Sequence, residues 1–328
     1  MSKLAFLFPG QASQYCGMGR DLAANFPESK AVFDQADAAL SFSITHTCFE
    51  GTEEALKLTE NTQPGILTVS VAAYRVLEKQ GIVPDFVAGH SLGEYSALVA
   101  AGGLDFSAAV KLVRGRGKYM QEAVPAGQGA MAAILGLSPT EVAEICKKAA
   151  ENEVVSPANL NSPEQTVISG SAAAVKRAVE IASQSGAKRA VILPVSAPFH
   201  CALMMPAQQR LERDLRSTKF CALKIPLITN VDAQAITTGD EARDALIRQV
   251  TAPVRWLDSV REMIESGVTV FVEVGPGKVL TGLLRQIDRS VRVFNVEDSA
   301  SLQSTMEKLA QARAEVANHK IITPISPS

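Results

Sequence analysis

Gly89-His90-Ser91-Leu92-Gly93 constrains this chain more than any other stretch. It fits G-x-S-x-G, in which a serine sits on a cramped strand-to-helix turn with its hydroxyl pushed out into solvent. Side chains at the two glycine positions would collide with the facing strand and helix, and the turn needs unusual backbone angles. The flanks agree with that geometry. Phe86-Val87-Ala88 reads as a short buried strand, and Leu92 to Ala101 as an apolar helix.

Leu4 to Phe8 is a second buried strand, running into the turn Pro9-Gly10-Gln11. Continuous apolar strands of this kind mark parallel sheets in α/β proteins, where functional groups collect just past the carboxyl ends. Helices are expected over Leu22 to Leu40 and Gln63 to Gln80, with His46 in an irregular stretch between them. After Gly102-Gly103, Asp105 or Ser107 can cap a helix running to about Glu122. On it Lys111, Arg114, Lys118 and Glu122 share the solvent face, whereas Ala109, Leu112, Val113 and Met120 lie opposite. Arg116 falls among the apolar set. A guanidinium cannot shed its charge, so an inward arginine needs an anionic partner or a wet cavity. A structural salt bridge, a side chain that snorkels out, and a carboxylate-bearing substrate all satisfy that requirement.

From Gly129 to Pro194 the order is strand (Ala130–Leu137), helix (Pro139–Ala150), strands (Val154–Leu160, Thr166–Ser169), helix (Ala172–Ser185) and strand (Arg189–Leu193). That βαββαβ order is the signature of a ferredoxin-like unit. The fold expected is therefore α/β: a large α/β-hydrolase-like domain with a mainly parallel sheet over 1–126 and 196–315, a small ferredoxin-like insertion over 127–195, and a tail over 316–328. Strands Ile225–Ile228, Val268–Val274 and Val291–Val296, and helices Asp240–Val250, Val279–Ile287 and Leu302–Ala317, complete the large domain, leaving Ile321 to Ser328 as a loose tail. Gly275-Pro276-Gly277, opening the helix at Val279, suits an anion or serves as a purely structural turn.

A serine nucleophile needs a base with a pKa near neutrality, and histidine is the usual supplier. The chain has 4 histidines, and elimination points to one of them. His319 lies in a polar tail, His46 near the N-terminus, and His90 leaves the backbone beside Ser91 in another direction. His200 remains, in a loop after a strand and ahead of a helix.

Composition narrows the class. In 328 residues a net charge of −2 offers no reason to expect nucleic acid or an anionic membrane as a partner. The 5 cysteines are scattered without C-x-x-C spacing, which argues against a zinc site or disulfide framework and for a reducing compartment. No apolar run is long enough to span a bilayer, and the first strand starts almost at Met1, so a cytoplasmic location is expected.

Several separated motifs now stand in one order: Phe8-Pro9-Gly10-Gln11-Ala12-Ser13-Gln14, Gly89 to Tyr95, Arg116-Gly117, Pro198-Phe199-His200 and Val274-Gly275-Pro276-Gly277. Together they resemble the malonyl-CoA:acyl carrier protein transacylases of type II fatty acid synthesis, from about residue 3 to about residue 310. The resemblance implies that Ser91 is the acyl-enzyme nucleophile and His200 its base. It implies an oxyanion hole from the backbone amides of Gln11 and Leu92, and a bidentate carboxylate clamp at Arg116. It places the carbonyl that orients the histidine at Gln249, so no third acid need appear in the sequence. Phe199 resembles the bulky aromatic that crowds out a 2-methyl group. Malonyl-CoA and acyl carrier protein are the implied partners, with no cofactor and no metal, and nothing requires more than a monomer. Two other readings share parts of the pattern: an acyl hydrolase, whose elbow is the same, and a docking subunit with a vestigial site. Among transacylases, a carrier from polyketide synthesis or malonate decarboxylation also stays open.

Overall fold

The computed structural model describes residues 3–195 and 197–322, with side chains through Ala312 in the last helix. Its strands are β1 (Lys3–Phe8), β2 (Phe86–Gly89), β3 (Gly129–Leu135), β4 (Val155–Ser162), β5 (Gln165–Ser171), β6 (Arg189–Ile192), β7 (Leu227–Ile228), β8 (Ala235–Ile236), β9 (Val268–Val274) and β10 (Arg292–Val296). They form two sheets. The larger has the order β10-β9-β1-β2-β7-β8 and is parallel except at its edge, where β8 turns back on β7. The smaller has the order β4-β5-β3-β6 and is antiparallel throughout. Helices Pro139–Ala150 and Ala172–Gln184 pack on it around Ile134, Val142, Ile145, Ile168 and Val175. This is the arrangement a ferredoxin-like unit requires.

The strand register of the large sheet brings three loops together. Phe8 lies opposite Gly89, so the turn after β1 and the turn after β2 leave the sheet side by side. Ala88 lies opposite Ile228, so Thr229-Asn230 emerges on the other flank of the elbow. Contact between these turns is close enough to exclude side chains. A Cβ on Gly89 would lie 2.0 Å from the Gly93 carbonyl, one on Gly93 2.0 Å from Phe8 O, and one on Gly10 2.4 Å from His90 O. The glycine spacing read from the sequence thus has a steric cause at both positions.

The helices differ from expectation where local chemistry overrode periodicity. Leu22 to Leu40 is two helices, Arg20–Asn25 and Pro27–Leu40, because Pro27 forces Phe26 into an extended conformation and then serves as a first-turn residue. The long helix starts at Thr59 rather than Gln63 and runs through Pro64 to Lys79. The stretch around His46 is not irregular: Ile44–Phe49 is a short helix capped by Ser43, followed by Glu53–Lys57 capped by Thr52. Trp256–Glu265 is a helix that Pro253 obscured, burying Trp256, Val260 and Met263 under the large sheet. Strand β8, only two residues long, carried no readable alternation. The backbone of the last helix continues through Ile322, past the expected end at Ala317 and past His319, so the expected tail over 316–328 is corrected to that point. Residues 323–328 lie outside the described residues, as does Ser196, the expected start of the second large-domain segment. Among the described residues no helix is long and apolar enough to cross a membrane.

The close approach of β1 to the elbow helix (Gly93–Ala100) makes a testable demand. Gly93→Ala should cost about 3 kcal/mol of unfolding free energy, since neither backbone can yield cheaply. Gly282→Ala, on an exposed helix position with nothing within 4 Å, should instead stabilise. Its gain is about 0.5–1 kcal/mol. Denaturant melts of the two variants check the contrast; equal melts would refute the steric account.

Candidate active site

Ser91 sits in the left-handed region, at φ 51°, a conformation that a serine adopts only when its surroundings enforce it. Both of its main-chain polar groups are held by side chains. The Ser91 N–H donates to Asn230 Oδ1 at 2.7 Å, and its carbonyl accepts from Gln249 Nε2 at 3.0 Å. Asn230 in turn donates from Nδ2 to Gly89 O at 2.7 Å, so it grips the backbone that leads into the serine at two points. Held in this way, the Ser91 hydroxyl points at the loop after β6.

His200 lies there, buried and itself left-handed at φ 59°. Ser91 Oγ and His200 Nε2 are 2.7 Å apart. The other ring nitrogen, Nδ1, is 2.8 Å from the Gln249 carbonyl. A carbonyl can only accept, so Nδ1 carries the proton and Nε2 offers its lone pair to the serine hydroxyl. The partner of Nδ1 is thus a neutral main-chain carbonyl, that of Gln249.

Arg116 completes the group. It is 1% exposed, on the helix Phe106–Glu122. Gly117 explains how it reaches so far in: a Cβ there would lie 2.6 Å from Thr59 O, so the helix can press against the long helix beginning at Thr59. The guanidinium donates to Gln63 Oε1 at 2.9 Å, Gln249 Oε1 at 2.9 Å and Ser91 Oγ at 3.0 Å. Every one of those acceptors is neutral, and among the described residues no carboxylate lies within ion-pair distance of it. The expected inward placement is found; the expected solvent face needs one correction, because Arg114 lies half-buried with its guanidinium 4.0 Å from the Phe42 ring centre.

Gln11 and Leu92 both line the cavity next to Ser91. Neither main-chain N–H has an acceptor among the described residues, so both are available to a ligand oxygen. Phe199 forms part of the wall. The cavity holds about 250 Å3 and lies between the two sheets: Asn159, Asn161, Gln165 and Val167 come from the small one. His90 turns away from the serine, with Nε2 2.9 Å from Asn161 Oδ1 and its ring centre 5.6 Å from that of Trp256.

Three members of the site escaped the sequence reading. Gln63 is a polar residue on the wholly buried face of a helix, which could have drawn attention to it. Asn230 follows a strand end, a usual place for functional groups. Glu94 follows the elbow glycine and is buried, with Oε2 accepting from Asn230 N–H at 3.1 Å and from Gln249 Nε2 at 2.8 Å. Burial pushes its carboxyl up to about 7. The glycine turn at Gly275-Pro276-Gly277 resolves as structural. The first amides of the helix Val279–Ile287 already donate to a buried carboxylate, Leu280 N–H to Glu273 Oε1 at 2.9 Å and Thr281 N–H to Glu273 Oε2 at 2.7 Å.

A hydroxyl bonded to a neutral imidazole, with two free amides and a buried cation alongside, is equipped to accept an acyl group and give it up again. That is the chemistry of an acyl transferase, and the sequence profile described as "Acyl transferase domain" matches residues 5–322. The malonyl CoA-acyl carrier protein transacylase of Bacillus subtilis (strain 168) is 47% identical over 312 residues, 95% of this chain and 98% of that protein. The solved malonyl CoA-acyl carrier protein transacylase of Coxiella burnetii superposes with a TM-score of 0.92 at 45% identity, covering 94% of this chain and 98% of that one. A second similar structure, with a TM-score of 0.91 and 45% identity over 94% of this chain and 100% of that one, is a malonyl-transacylase in complex with a type II PKS acyl-carrier protein. The chain belongs to the malonyl CoA-acyl carrier protein transacylase family.

His200 carries a pH expectation. Burial first, and the Arg116 cation second, push its pKa down to about 3. The folded protein therefore refuses a proton that the unfolded chain takes up below about pH 6.5. Its contribution to stability is intact above about pH 6.5 and is lost as pH falls towards about 3. Labelling of Ser91 by a sulfonyl fluoride, followed by mass spectrometry, should accordingly stay level from about pH 8 to about pH 5. A drop centred near pH 6.5, about where an ordinary histidine titrates, would refute it.

Proposed function

We propose that this enzyme moves the malonyl group from malonyl-CoA to the phosphopantetheine thiol of acyl carrier protein through a malonyl ester on Ser91, supplying fatty acid chain elongation. Ser91 Oγ attacks the thioester carbonyl while His200 Nε2 takes the hydroxyl proton. The oxyanion forms against the amides of Gln11 and Leu92. Collapse breaks the carbon–sulfur bond, and the proton on His200 passes to the departing CoA sulfur. The carrier thiol then repeats the sequence in reverse: it gives its proton to His200, attacks the ester, and returns Ser91 to its hydroxyl form.

The observation that carries this reading is the buried Arg116 with only neutral partners. A substrate whose acyl end is a carboxylate supplies the missing negative charge; a neutral acyl group would leave the cation unpaired, which weighs against a general esterase. Malonyl binding also strengthens the base. A carboxylate on Arg116 offsets one of the causes that lower the His200 pKa, so the imidazole becomes more basic when the correct substrate is in place. The cleft between a large domain (1–126 and 196–315) and the insertion (127–195) is a fitting place for a group that must be kept from water. Phe199 on the cavity wall limits branching at the malonyl C2.

Transfer assays with malonyl-, methylmalonyl- and acetyl-CoA on purified carrier protein test the roles. Arg116→Ala should lower kcat/KM for malonyl-CoA about 100-fold or more, as expected for loss of a buried charge-assisted clamp, while acetyl transfer falls far less. A variant that keeps its malonyl preference would sink the clamp. Phe199→Ala should raise methylmalonyl transfer relative to malonyl; an unchanged ratio would remove that residue from substrate selection.

A further inference from the structure

Ser91 is held at its N–H by Asn230 and at its carbonyl by Gln249, and Arg116 is held by Gln249 as well. Neither Asn230 nor Gln249 stands alone. One atom, Glu94 Oε2, accepts from the Asn230 main chain at 3.1 Å and from Gln249 Nε2 at 2.8 Å. Of the acceptors around Gln249 Nε2, this carboxylate oxygen is the nearest, ahead of Ser91 O at 3.0 Å and Asn230 Oδ1 at 3.3 Å. A side-chain amide donates at one end and accepts at the other. Fixing its NH2 on Glu94 turns its carbonyl to Arg116 NH2. Glu94 can do this because it is rigidly placed. It is 1% exposed, and it sits in the first turn of a helix whose first residue, Gly93, is pressed against Phe8 O.

We propose that Glu94 is a positioning residue for malonyl transfer: by accepting from both Asn230 and Gln249 it holds Ser91 in its left-handed conformation and aims Arg116 at the acyl site. It touches neither substrate nor reacting atom. The assignment rests on the malonyl-transfer reading above and adds to it the residue that ties the nucleophile to the clamp. Two consequences follow from the two arms. Losing the Asn230 arm loosens Ser91 and slows loading of any acyl group. Losing the Gln249 arm releases Arg116 and weakens only the grip on an acyl group with a carboxylate.

The test compares Glu94→Leu, which keeps the bulk and removes the acceptor, with Glu94→Gln, which can keep a carbonyl oxygen where Oε2 stands. Loading of Ser91 from malonyl-CoA and from acetyl-CoA is followed by intact-protein mass, per active site. Glu94→Leu should lower kcat about ten-fold or more with both donors and raise KM about ten-fold with malonyl-CoA only, as small misplacements of reacting groups do. Glu94→Gln should recover both constants to within about three-fold of the parent. If Glu94→Leu does not fold, Glu94→Asp, whose shorter arm cannot reach both donors, should show the same split. Parent-like constants in the Leu or Asp variant would overturn the assignment, as would a Gln variant as impaired as Leu or a fall in kcat with no malonyl-specific change in KM. Arg116→Ala run alongside separates the two claims. Should it keep the malonyl preference, the malonyl-clamp reading fails; should it lose that preference while Glu94→Leu behaves as the parent, only the role of Glu94 fails.

Discussion

A buried guanidinium whose hydrogen-bond acceptors are all neutral is the constraint on which the site depends. Gln63, Gln249 and Ser91 each turn an oxygen to Arg116 and so satisfy its hydrogen bonds, but amide and hydroxyl dipoles do not cancel a charge. The surrounding fold is arranged to tolerate the imbalance. Gly117 lets two helices meet closely enough for Arg116 to reach Gln63, and Gln249 spends its side chain on the cation while its main chain holds the base. The charge also reaches the chemistry directly, since it helps to keep His200 deprotonated. One side chain thereby touches the Ser91 hydroxyl and sets the protonation of its imidazole partner.

What could be read from the chain, and what could not, follows from the range of each interaction. The elbow was legible because its requirements are local: two glycines, a strand before, a helix after. The βαββαβ order was legible because its strands and helices alternate with clear turn formers. Arg116 was legible because helical spacing alone puts it opposite Lys111 and Lys118. Gln63, Glu94 and Asn230 were not. Their importance exists only across sequence separations such as the 155 between Glu94 and Gln249, and no local pattern distinguishes a glutamine that solvates a buried cation from one at a surface. The short helices around His46 failed for a different reason, since five or six residues are too few for an apolar period to show. Pro27 and Pro64 had opposite effects on a naive reading: the first divides a helix, while the second is carried inside one.

The hydrogen-bonded serine and histidine share an unusual property. Ser91 and His200 both have positive φ, and conformations of that kind cost about 1–3 kcal/mol each. Such strain persists only where neighbours over-determine it. For Ser91 the neighbours are Asn230 and Gln249; for His200 the Gln249 carbonyl fixes the ring. The two side chains are consequently already 2.7 Å apart, and no rearrangement has to precede proton transfer.

The buried Glu273 has a consequence beyond the helix it caps. Leu280 and Leu283 of that helix face the cavity, and its positive end would otherwise attract any anion that entered. With Glu273 seated on the amides of Leu280 and Thr281, those donors are already taken. Arg116 is then the one cation among the described residues lining the cavity, and no acid lines it. The chamber is therefore electrically one-sided, with its single positive charge set against the Ser91 hydroxyl.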